Sequence, residues 1–276
     1  MLRSMITATN TMNQLQQQLD AIGHNLANID TNGYKKTSTT FHELMRQELN
    51  NQPDLQKETG RLTDYGLRLG VGARLDKQLV FHQGAIKTTG RELDVALLHK
   101  DQFLQVEVDG EVRYTRDGAL YLSPANDGTN RLMLVTKDGY RVLDENQNPI
   151  YLDGDIRDIV ISANGTLTAA PRNEGELPQT VNLGVVRVDR PSMMISLGNN
   201  IYGLQQLGNV PITDVLTNLE GDLRTEIGMR QGALESSNVD LTQEITDLMI
   251  AQRSYQLNAR SITIGDQMLG LINTVR

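Results

Sequence analysis

The sequence predicts an α+β fold with paired N- and C-terminal coiled-coil helices and an inserted, mostly antiparallel β domain. Residues 1–30 carry an unbroken apolar heptad, and residues 236–276 form a long apolar-striped segment without proline. Between these ends, short runs of alternating apolar and polar residues are separated by Asp-Gly and Asn-Gly pairs, which is typical of β hairpins. Because the two helical ends are predicted to pair, the termini are expected to lie together.

The N-terminal helix is predicted from apolar residues that alternate spacings of three and four over four heptads. The intervening residues are mostly Gln, Asn and Thr, which suits burial among several neighbours better than a solvated two-stranded zipper. Gly33 is predicted to end the helix in a left-handed conformation, with Tyr34 packing back on Ile29. The two heptad series are Met5, Met12, Leu19 and Leu26, and Ala8, Leu15, Ile22 and Ile29.

The C-terminal segment, residues 236–276, is predicted to be one long helix that begins with a capping box formed by Ser237 and Asp240. Its apolar residues form two seams that are roughly 200° apart around the helix. A helix that is apolar on two sides is buried on two sides, so one seam needs a partner outside the chain. The first seam is Leu241, Leu248, Tyr255, Ile262 and Leu269, and the second seam is Ile250, Leu257, Ile264 and Leu271.

Four segments are predicted along the chain. They are a terminal helical domain of residues 1–32 and 236–276, a connecting segment of residues 33–75, a β-rich domain of residues 76–210 and a return linker of residues 211–235. A short helix is expected around residues 40–49 within the connecting segment.

Two hairpins allow a prediction of strand register. A two-residue turn at residues 138–139 sets Val135 opposite Val142. At residues 109–110 a two-residue turn would set Val106 against an arginine, so a three-residue loop is predicted there.

The composition excludes several classes of function. The net charge of −8 disfavours a nucleic-acid partner, because no basic surplus is available to neutralise phosphates. The absence of cysteine excludes disulfides and thiol chemistry. No apolar run approaches 18 residues, so no membrane insertion is expected. The N-terminus lacks the apolar segment of a secretory signal, so any export is expected without a cleaved signal peptide.

No catalytic residue, metal site or cofactor is predicted. The four histidines have no ligand spacing, and most aspartates precede glycine in turns. A glycosylation sequon at residues 164–166 is better explained as an Asn-Gly hairpin. The histidines are His24, His42, His82 and His99.

Three patches of the sequence together resemble the bacterial flagellar rod and hook proteins, the axial family. The N-terminal patch is Asn25, Ala27, Asn28, Thr31, Gly33, Tyr34 and Lys35. The C-terminal patch is residues 232–240 with Met249, Gln252, Arg253, Tyr255, Asn258 and Ala259. The middle patch is residues 114–119 and 136–143. A single β insert in 276 residues resembles the distal rod type of this family.

The resemblance implies a structural subunit of the flagellar basal body that assembles into a hollow helical tube. It implies that the terminal helices line the channel, that the partners are copies of the chain and other rod and hook proteins, and that export uses the flagellar type III apparatus. The predicted assembly motif is Asn25, Asn28, Thr31, Gly33, Tyr34, Asn238, Asp240, Tyr255 and Asn258. The predicted helix-packing residues are Met5, Met12, Leu15, Leu19, Ile22, Leu26, Leu248, Ile250, Leu257, Ile262, Ile264 and Leu269.

The asparagines of the N-terminal patch, Asn25, Asn28 and Asn32, are spaced to share one side of the first helix. We expect them to end that helix and to offer their amides to adjacent subunits. The alternative function is a secreted, monomeric β-domain binder or adhesin on a helical stalk, and an enzyme with a divergent site is a third. A stalked monomer would have helices that are stable at any dilution.

Overall fold

The computed structural model describes residues 2–43, 46–49, 67–70, 73–125, 128, 130–172, 177–205 and 211–274. The chain forms two compact units, which we describe separately. The helical unit contains Met1–Leu26, Thr37–Gln78 and Leu241–Arg276, and the β unit contains Ala27–Lys36 and Leu79–Asp240.

Two long helices dominate the helical unit: α1 spans Leu2–Ala27 and α2 spans Leu241–Thr274. Near the C-terminal end of α1, Asn25 Nδ2 donates to Glu244 Oε2 of α2 at 3.1 Å. Near the other end, Gly265 lies so close to Met5 that a Cβ on the glycine would be 3.1 Å from Met5 Cγ. These contacts occur in opposite order along the two helices, so α1 and α2 run antiparallel to each other. None of the described helices is long and apolar enough to cross a membrane.

Short strands complete the helical unit. Strands β1 (Thr37–Glu43) and β4 (Ala73–Leu79) pair, and strands β2 (Arg46–Leu49) and β3 (Leu67–Gly70) pair antiparallel. The helix predicted around residues 40–49 is therefore wrong, although residues 44, 45 and 50–66 lie outside the described part of the chain. The segment opens with the threonine-rich run of β1, and β-branched side chains favour extended backbone.

The β unit contains the remaining strands. They are β5 (Ile86–Thr88), β6 (Val95–Leu97), β7 (Gln102–Val108), β8 (Glu111–Thr115), β9 (Leu120–Pro124), β10 (Arg131–Thr136), β11 (Arg141–Val142), β12 (Tyr151–Asp153), β13 (Ile156–Ile161), β14 (Thr166–Pro171), β15 (Gln179–Asn182), β16 (Val185–Val188), β17 (Met194–Gly198), β18 (Ile201–Leu204), β19 (Leu216–Asn218), β20 (Met229–Gln231) and β21 (Ala233–Glu235). Short 3-10 helices occupy Pro191–Met193, Ile212–Asp214 and Gly221–Glu226.

The main sheet of the β unit has ten described strands. Its central path runs β12-β10-β11-β7-β8-β18-β17, and β16, β19 and β9 attach beside it. A separate antiparallel sheet has the order β13-β14-β15. One buried cluster includes Leu104, Leu134 and Leu167, and a second is built around Phe103, Val186 and Tyr202.

The segment predicted as a return linker, residues 211–235, is part of the folded β unit. Strand β19 pairs with β16, β20 pairs with β6 and β21 pairs with β5. The strands are only three residues long, so no alternating pattern was present to predict them.

The hairpin between β7 and β8 has a two-residue loop, and the predicted three-residue loop is wrong. Val106 pairs with Arg113 across the two strands. Asp109 and Gly110 have φ angles of 53° and 80°. Two positive φ values define a type I′ turn, which Asp-Gly adopts readily, so turn chemistry outweighs the matching of apolar residues across the strands.

The hairpin between β10 and β11 has a three-residue loop at residues 137–139, and the predicted two-residue turn is wrong. Val135 pairs with Arg141, not with Val142. Here only Gly139, with φ of 86°, is left-handed, as expected for a tight turn followed by a bulge. The same Asp-Gly dipeptide therefore gives two different registers in one chain.

Both helices are shorter than predicted at the ends that adjoin the β unit in the sequence. Helix α1 ends at Ala27, so Asn28 and Asn32 lie in turns and do not share a helical side with Asn25. Helix α2 begins at Leu241 instead of residue 236, since the preceding backbone makes other hydrogen bonds. The Ser236 N–H donates to the Ala85 carbonyl at 2.8 Å, and the Ser237 hydroxyl accepts from the Val239 N–H at 3.3 Å.

Candidate functional site

A buried cluster of three charged side chains joins the three patches of the sequence. Lys35 Nζ lies 2.7 Å from Glu235 Oε1, and Arg116 Nε lies 2.6 Å from Glu235 Oε2. The exposed fraction of each of these side chains is 1% or less. We call Lys35, Arg116 and Glu235 the ionic junction.

Backbone groups satisfy the remaining polar atoms of the ionic junction. Gly84 N donates to Glu235 Oε1 at 2.8 Å, and Lys35 Nζ donates to the His82 carbonyl at 2.9 Å. The Arg116 guanidinium also donates to the carbonyl of Gln102. A buried charge is stable only when hydrogen bonds and opposite charges replace its contacts with water. The junction therefore forms only when the chain segments that supply these partners are folded together.

The electrostatics of the junction keep the carboxylate charged. Burial by itself would raise the pKa of Glu235, but Arg116 and Lys35 outweigh that effect and hold its pKa below the ordinary value. Burial lowers the pKa of Lys35, and the nearby Arg116 lowers it further, against the attraction of Glu235. The neighbouring Tyr202 hydroxyl accepts a hydrogen bond from Lys35 N at 3.3 Å, and burial raises the pKa of Tyr202 far above its ordinary value.

Gly33 holds the N-terminal patch against the junction. It has the predicted left-handed conformation, with φ of 68°, and its N–H donates to the Glu235 carbonyl at 2.7 Å. A Cβ at this position would lie 2.5 Å from the carbonyl carbon and oxygen of Arg116. Asn200 Nδ2 donates to the Asn32 carbonyl at 2.6 Å and fixes the same turn. Glycine is therefore required both by backbone conformation and by close approach.

Asn238 connects the C-terminal patch to two other segments. Its Oδ1 accepts from Lys36 N at 2.8 Å, and its Nδ2 donates to the carbonyls of Val80 and His82 at 2.8 and 3.0 Å. Its own N–H donates to the Tyr34 carbonyl at 3.4 Å. The predicted motif residues Gly33, Tyr34 and Asn238 are thus brought together within one chain.

Asn25 has a corresponding role in the helical unit. Its amide exchanges two hydrogen bonds of 3.0 Å with the backbone of Thr37, in addition to its bond to Glu244. Asn28 and Thr31 form a local turn, in which Thr31 N donates to the Asn28 carbonyl at 3.2 Å and Thr31 Oγ1 donates to Asn28 Oδ1 at 3.1 Å. These contacts lie inside the chain, and the expected contacts of the amides with adjacent subunits stay a prediction.

The remaining motif residues lie at or on α2. Asp240 immediately precedes the helix, Tyr255 is half-buried, and Asn258 Nδ2 donates to the Ser254 carbonyl at 2.9 Å. These three residues belong to the helix and its start, apart from the ionic junction.

The predicted helix-packing residues fall into three groups by exposure. Leu15 and Ile22 of α1 are buried. The half-buried residues are Met5, Met12, Leu19 and Leu26 of α1, and Leu248, Ile262 and Leu269 of α2. The exposed residues all belong to the second seam of α2, where Ile250, Leu257, Ile264 and Leu271 are 57%, 62%, 56% and 66% exposed. The two seams of α2 therefore have different environments.

Arg116, Glu235 and Tyr202 were not predicted as site residues. Lys35, Arg116 and Glu235 each belong to a different patch of the sequence that resembles the rod and hook family. The presence of one of these charged residues in each patch was a sign that they contact one another. Which charges pair could not be predicted, because the residues are far apart in the sequence and their contact depends on the fold.

The fold and the junction define an α+β protein whose β unit is built from two separate stretches of the chain, with Lys35 of the first stretch held by Glu235 of the second. Three family models match the chain: "Flagella basal body rod protein" at residues 5–35, "Flagellar hook protein FlgE/F/G D1 domain" at residues 99–169 and "Flagellar basal body rod FlgEFG protein C-terminal" at residues 230–275. Lys35, Arg116 and Glu235 fall in these three matches, one in each.

Full-length relatives agree with the family models. The chain is 50% identical over 278 residues to the flagellar hook-basal body complex protein FlhP of Bacillus subtilis, with 100% of both chains covered. It is 32% identical to the flagellar basal-body rod protein FlgG of the same organism, again with 100% of both covered. It is 31% identical to FlgG of Agrobacterium fabrum, covering 99% of this chain and 98% of the relative.

The chain therefore belongs to the bacterial flagellar basal-body rod and hook family, and it is a structural subunit of the basal-body rod. The alternative of a monomeric adhesin is not supported, because these full-length relatives are named as components of the flagellar basal body.

Proposed function

We propose that copies of the chain assemble into the hollow helical tube of the rod, with the terminal helices forming the layer around the channel. The observation that carries this proposal is the second seam of α2, whose four apolar side chains are each more than half exposed. A continuous apolar seam in water favours association, because each side chain gains free energy when a neighbour covers it.

We also infer that α1 and α2 pack as an antiparallel coiled coil within each copy. The contacts of Asn25 with Glu244 and of Met5 with Gly265 support this pairing. Leu15 and Ile22 are buried, and Leu248, Tyr255, Ile262 and Leu269 of the first seam are half-buried, as heptad packing requires, whereas Leu241 at the start of the seam is exposed. With the first seam used inside the copy, the second seam remains for neighbouring copies.

The proposed partners are copies of this chain and other rod and hook proteins, and the proposed route to the basal body is the flagellar type III export apparatus. The family relationship supports the partners, and the export route is proposed from the resemblance to the axial family. The net charge of −8 supports a role without nucleic acid.

The test is the double variant Leu257→Ser with Ile264→Ser, which changes two exposed residues of the second seam. The variant is produced in the source bacterium instead of the wild-type chain. We expect the unfolding free energy of the purified chain to change by about 0.5 kcal/mol or less, because both side chains are already exposed. We expect the variant to be absent from isolated basal bodies and the cells to stop swimming.

The matched control replaces exposed polar residues on the same helix, Gln256→Ser with Thr263→Ser. This variant should enter basal bodies normally. If the seam variant is also incorporated normally and the cells swim, the proposed role of the second seam is wrong.

A further inference from the structure

The second seam of α2 includes a residue that its heptad spacing does not reveal. Met268 lies about five complete turns of helix beyond Ile250, so the two residues share one side of α2. It is also four positions after Ile264 and three positions before Leu271, and residues at these spacings are direct neighbours on a helix. Met268 therefore belongs to the apolar surface that the proposed assembly would cover.

Met268 is open to solvent in the single copy. It is 46% exposed, and of the methionines that the structure describes only Met249 has a comparable exposed fraction, at 49%. Met249 is the sequence neighbour of Ile250, which places it about 100° from that residue around the helix. Met194 and Met229 are buried in the β unit. A reagent in water can therefore reach a methionine on the second seam.

Methionine brings a reactivity to the seam that its leucines and isoleucines lack. Hydrogen peroxide transfers an oxygen atom to the thioether sulfur: a sulfur–oxygen bond forms, the peroxide O–O bond breaks and water leaves. The sulfur is oxidised by two electrons, and the peroxide is reduced by two. The product, methionine sulfoxide, is polar, whereas the thioether is apolar. Oxidation therefore places a polar oxygen on an apolar surface.

The seam residues next to Met268 are apolar. They are Ile264, Leu271 and Ile272, which are 56%, 66% and 52% exposed. Their hydrocarbon side chains donate no hydrogen bond to a sulfoxide oxygen. In water that oxygen is hydrated, but beneath a neighbouring copy it would lose its water, and burying a polar group without a hydrogen bond costs free energy. Oxidised Met268 therefore opposes association without a similar penalty in the single copy.

We propose that Met268 is a modification site, at which a peroxide forms the sulfoxide and thereby prevents assembly through the second seam. The inference rests on the proposed function and deepens it, because it names a chemical control of the same surface. A copy is open to the reaction until a neighbour covers the sulfur, and it is protected afterwards. Oxidation thus removes copies before assembly and spares those already in the rod.

The first measurement compares the reactivity of the methionines. Purified full-length chain and isolated basal bodies are treated with dilute hydrogen peroxide, and mass spectrometry follows sulfoxide formation at each methionine. In the purified chain, the exposed Met268 and Met249 should be oxidised at least tenfold faster than the buried Met194 and Met229. In basal bodies, Met268 should react at least tenfold more slowly than in the purified chain. Equal rates at Met268 in the two samples would overturn the inference.

The second measurement mimics the sulfoxide with glutamine, whose side chain is polar and similar in length to that of methionine. Met268→Gln, produced in the source bacterium instead of the wild-type chain, should lower incorporation into basal bodies at least tenfold, whereas Met268→Leu should retain it. Met249→Gln is the matched control, because it changes a similarly exposed methionine away from the seam, and it should be incorporated normally.

Circular dichroism of the purified Met268→Gln chain should match that of wild type, because Met268 is exposed in the single copy. A lost helical signal would mean that Met268 stabilises the single copy, and would overturn the inference.

The third measurement uses oxidation itself. Bacteria that are growing new flagella receive dilute hydrogen peroxide, and incorporation of the chain into basal bodies is compared with that in untreated cells. Wild type should lose at least threefold more incorporation than Met268→Leu, since leucine has no sulfur to oxidise. Equal losses in the two strains would contradict the proposal.

These outcomes separate the inference from the proposed function. Normal incorporation of Met268→Gln overturns the role of Met268 and leaves the rod assignment intact. Absence of the wild-type chain from basal bodies contradicts the proposed function, and the inference then falls with it.

Discussion

The β unit buries charged side chains, whereas helix α2 exposes apolar side chains, and either arrangement is unfavourable without a partner. Inside the β unit, Glu235 and its two cations are fully buried, and each charge has a partner in the same chain. On α2, by contrast, the side chains of the second seam stay more than half exposed. The charges of the ionic junction are thus satisfied within one copy, whereas α2 carries apolar surface that the proposed assembly would cover.

The difference shows that a side chain is buried in one copy when its partners belong to the same chain, and stays exposed when its proposed partner is another copy. Charges are buried where the chain itself supplies opposite charges and backbone donors, which offsets the cost of desolvation. Apolar side chains are exposed where the proposed partner is another copy. Variants of the ionic junction should therefore change the stability of the purified chain, and variants of the second seam should change its assembly.

The largest expected effect is that of Glu235→Gln. The variant leaves Lys35 and Arg116 buried without their anion, which should lower the unfolding free energy by about 3–5 kcal/mol. Urea unfolding of the full chain measures the change. Glu111→Gln is the control, because the pair of Glu111 with Arg113 is exposed and should contribute less than about 1 kcal/mol. Equal losses in both variants would mean that burial does not distinguish the two ion pairs.

Gly33→Ala should destabilise the β unit by about 2–4 kcal/mol, since it adds a strained backbone conformation to a clash with the Arg116 carbonyl. Gly139→Ala is the matched control. Its φ of 86° carries the same strain, but a Cβ there would meet nothing within 4 Å, so it should cost only about 1–2 kcal/mol. Denaturant midpoints that are equal for the two variants would contradict the close packing of Gly33.

Asn25→Ala should weaken the helical unit by about 1–3 kcal/mol, because it removes the hydrogen bonds of Asn25 to the backbone of Thr37 and to the side chain of Glu244. Hydrogen exchange should become faster in α1 and β1 and stay unchanged in strands such as β7 and β10. Faster exchange throughout the β unit would show that the two units unfold together.

Tyr202→Phe should have the smallest effect at neutral pH, about 1 kcal/mol, because the hydroxyl makes one long hydrogen bond. Above pH 10 the unfolded tyrosine loses its proton, while burial raises the pKa of Tyr202 and keeps the folded form protonated. The folded state then binds more protons, so stability falls as the pH rises. Wild type should lose about 1.4 kcal/mol per pH unit more than the variant.

Tyr121→Phe controls for the loss of a hydroxyl from an exposed ring. Unfolding curves of wild type and both variants between pH 9 and pH 11.5 supply the measurement. Parallel losses in wild type and Tyr202→Phe would mean that the buried tyrosine does not cause the alkaline loss.

The sequence predicted what depends on periodicity and failed where short-range chemistry or long-range pairing decides. The seams of α2 were visible because Leu257 and Ile264 recur at heptad spacing. The hairpin registers at Asp109 and Asp138 were wrong because the same dipeptide supports two turn types. Strands β19 to β21 are too short to show any alternation.

The candidate site shows the same limit. Gly33 is left-handed as predicted, but it does not end the helix as predicted, because α1 already ends at Ala27. Its contact with Arg116 could not be predicted, since that contact depends on how the strands are arranged. The contact of Asn25 with Thr37 could not be predicted either, because Thr37 lies beyond a turn that the heptad pattern does not include.

The ionic junction has a consequence for the order of folding. Lys35 is 200 positions from Glu235 in the sequence, and Arg116 is 119 positions from it. Contacts between such distant positions form late, because closing a long loop costs entropy before any contact is gained. The β unit therefore lacks its complete set of ionic contacts until residue 235 has been brought next to Lys35 and Arg116.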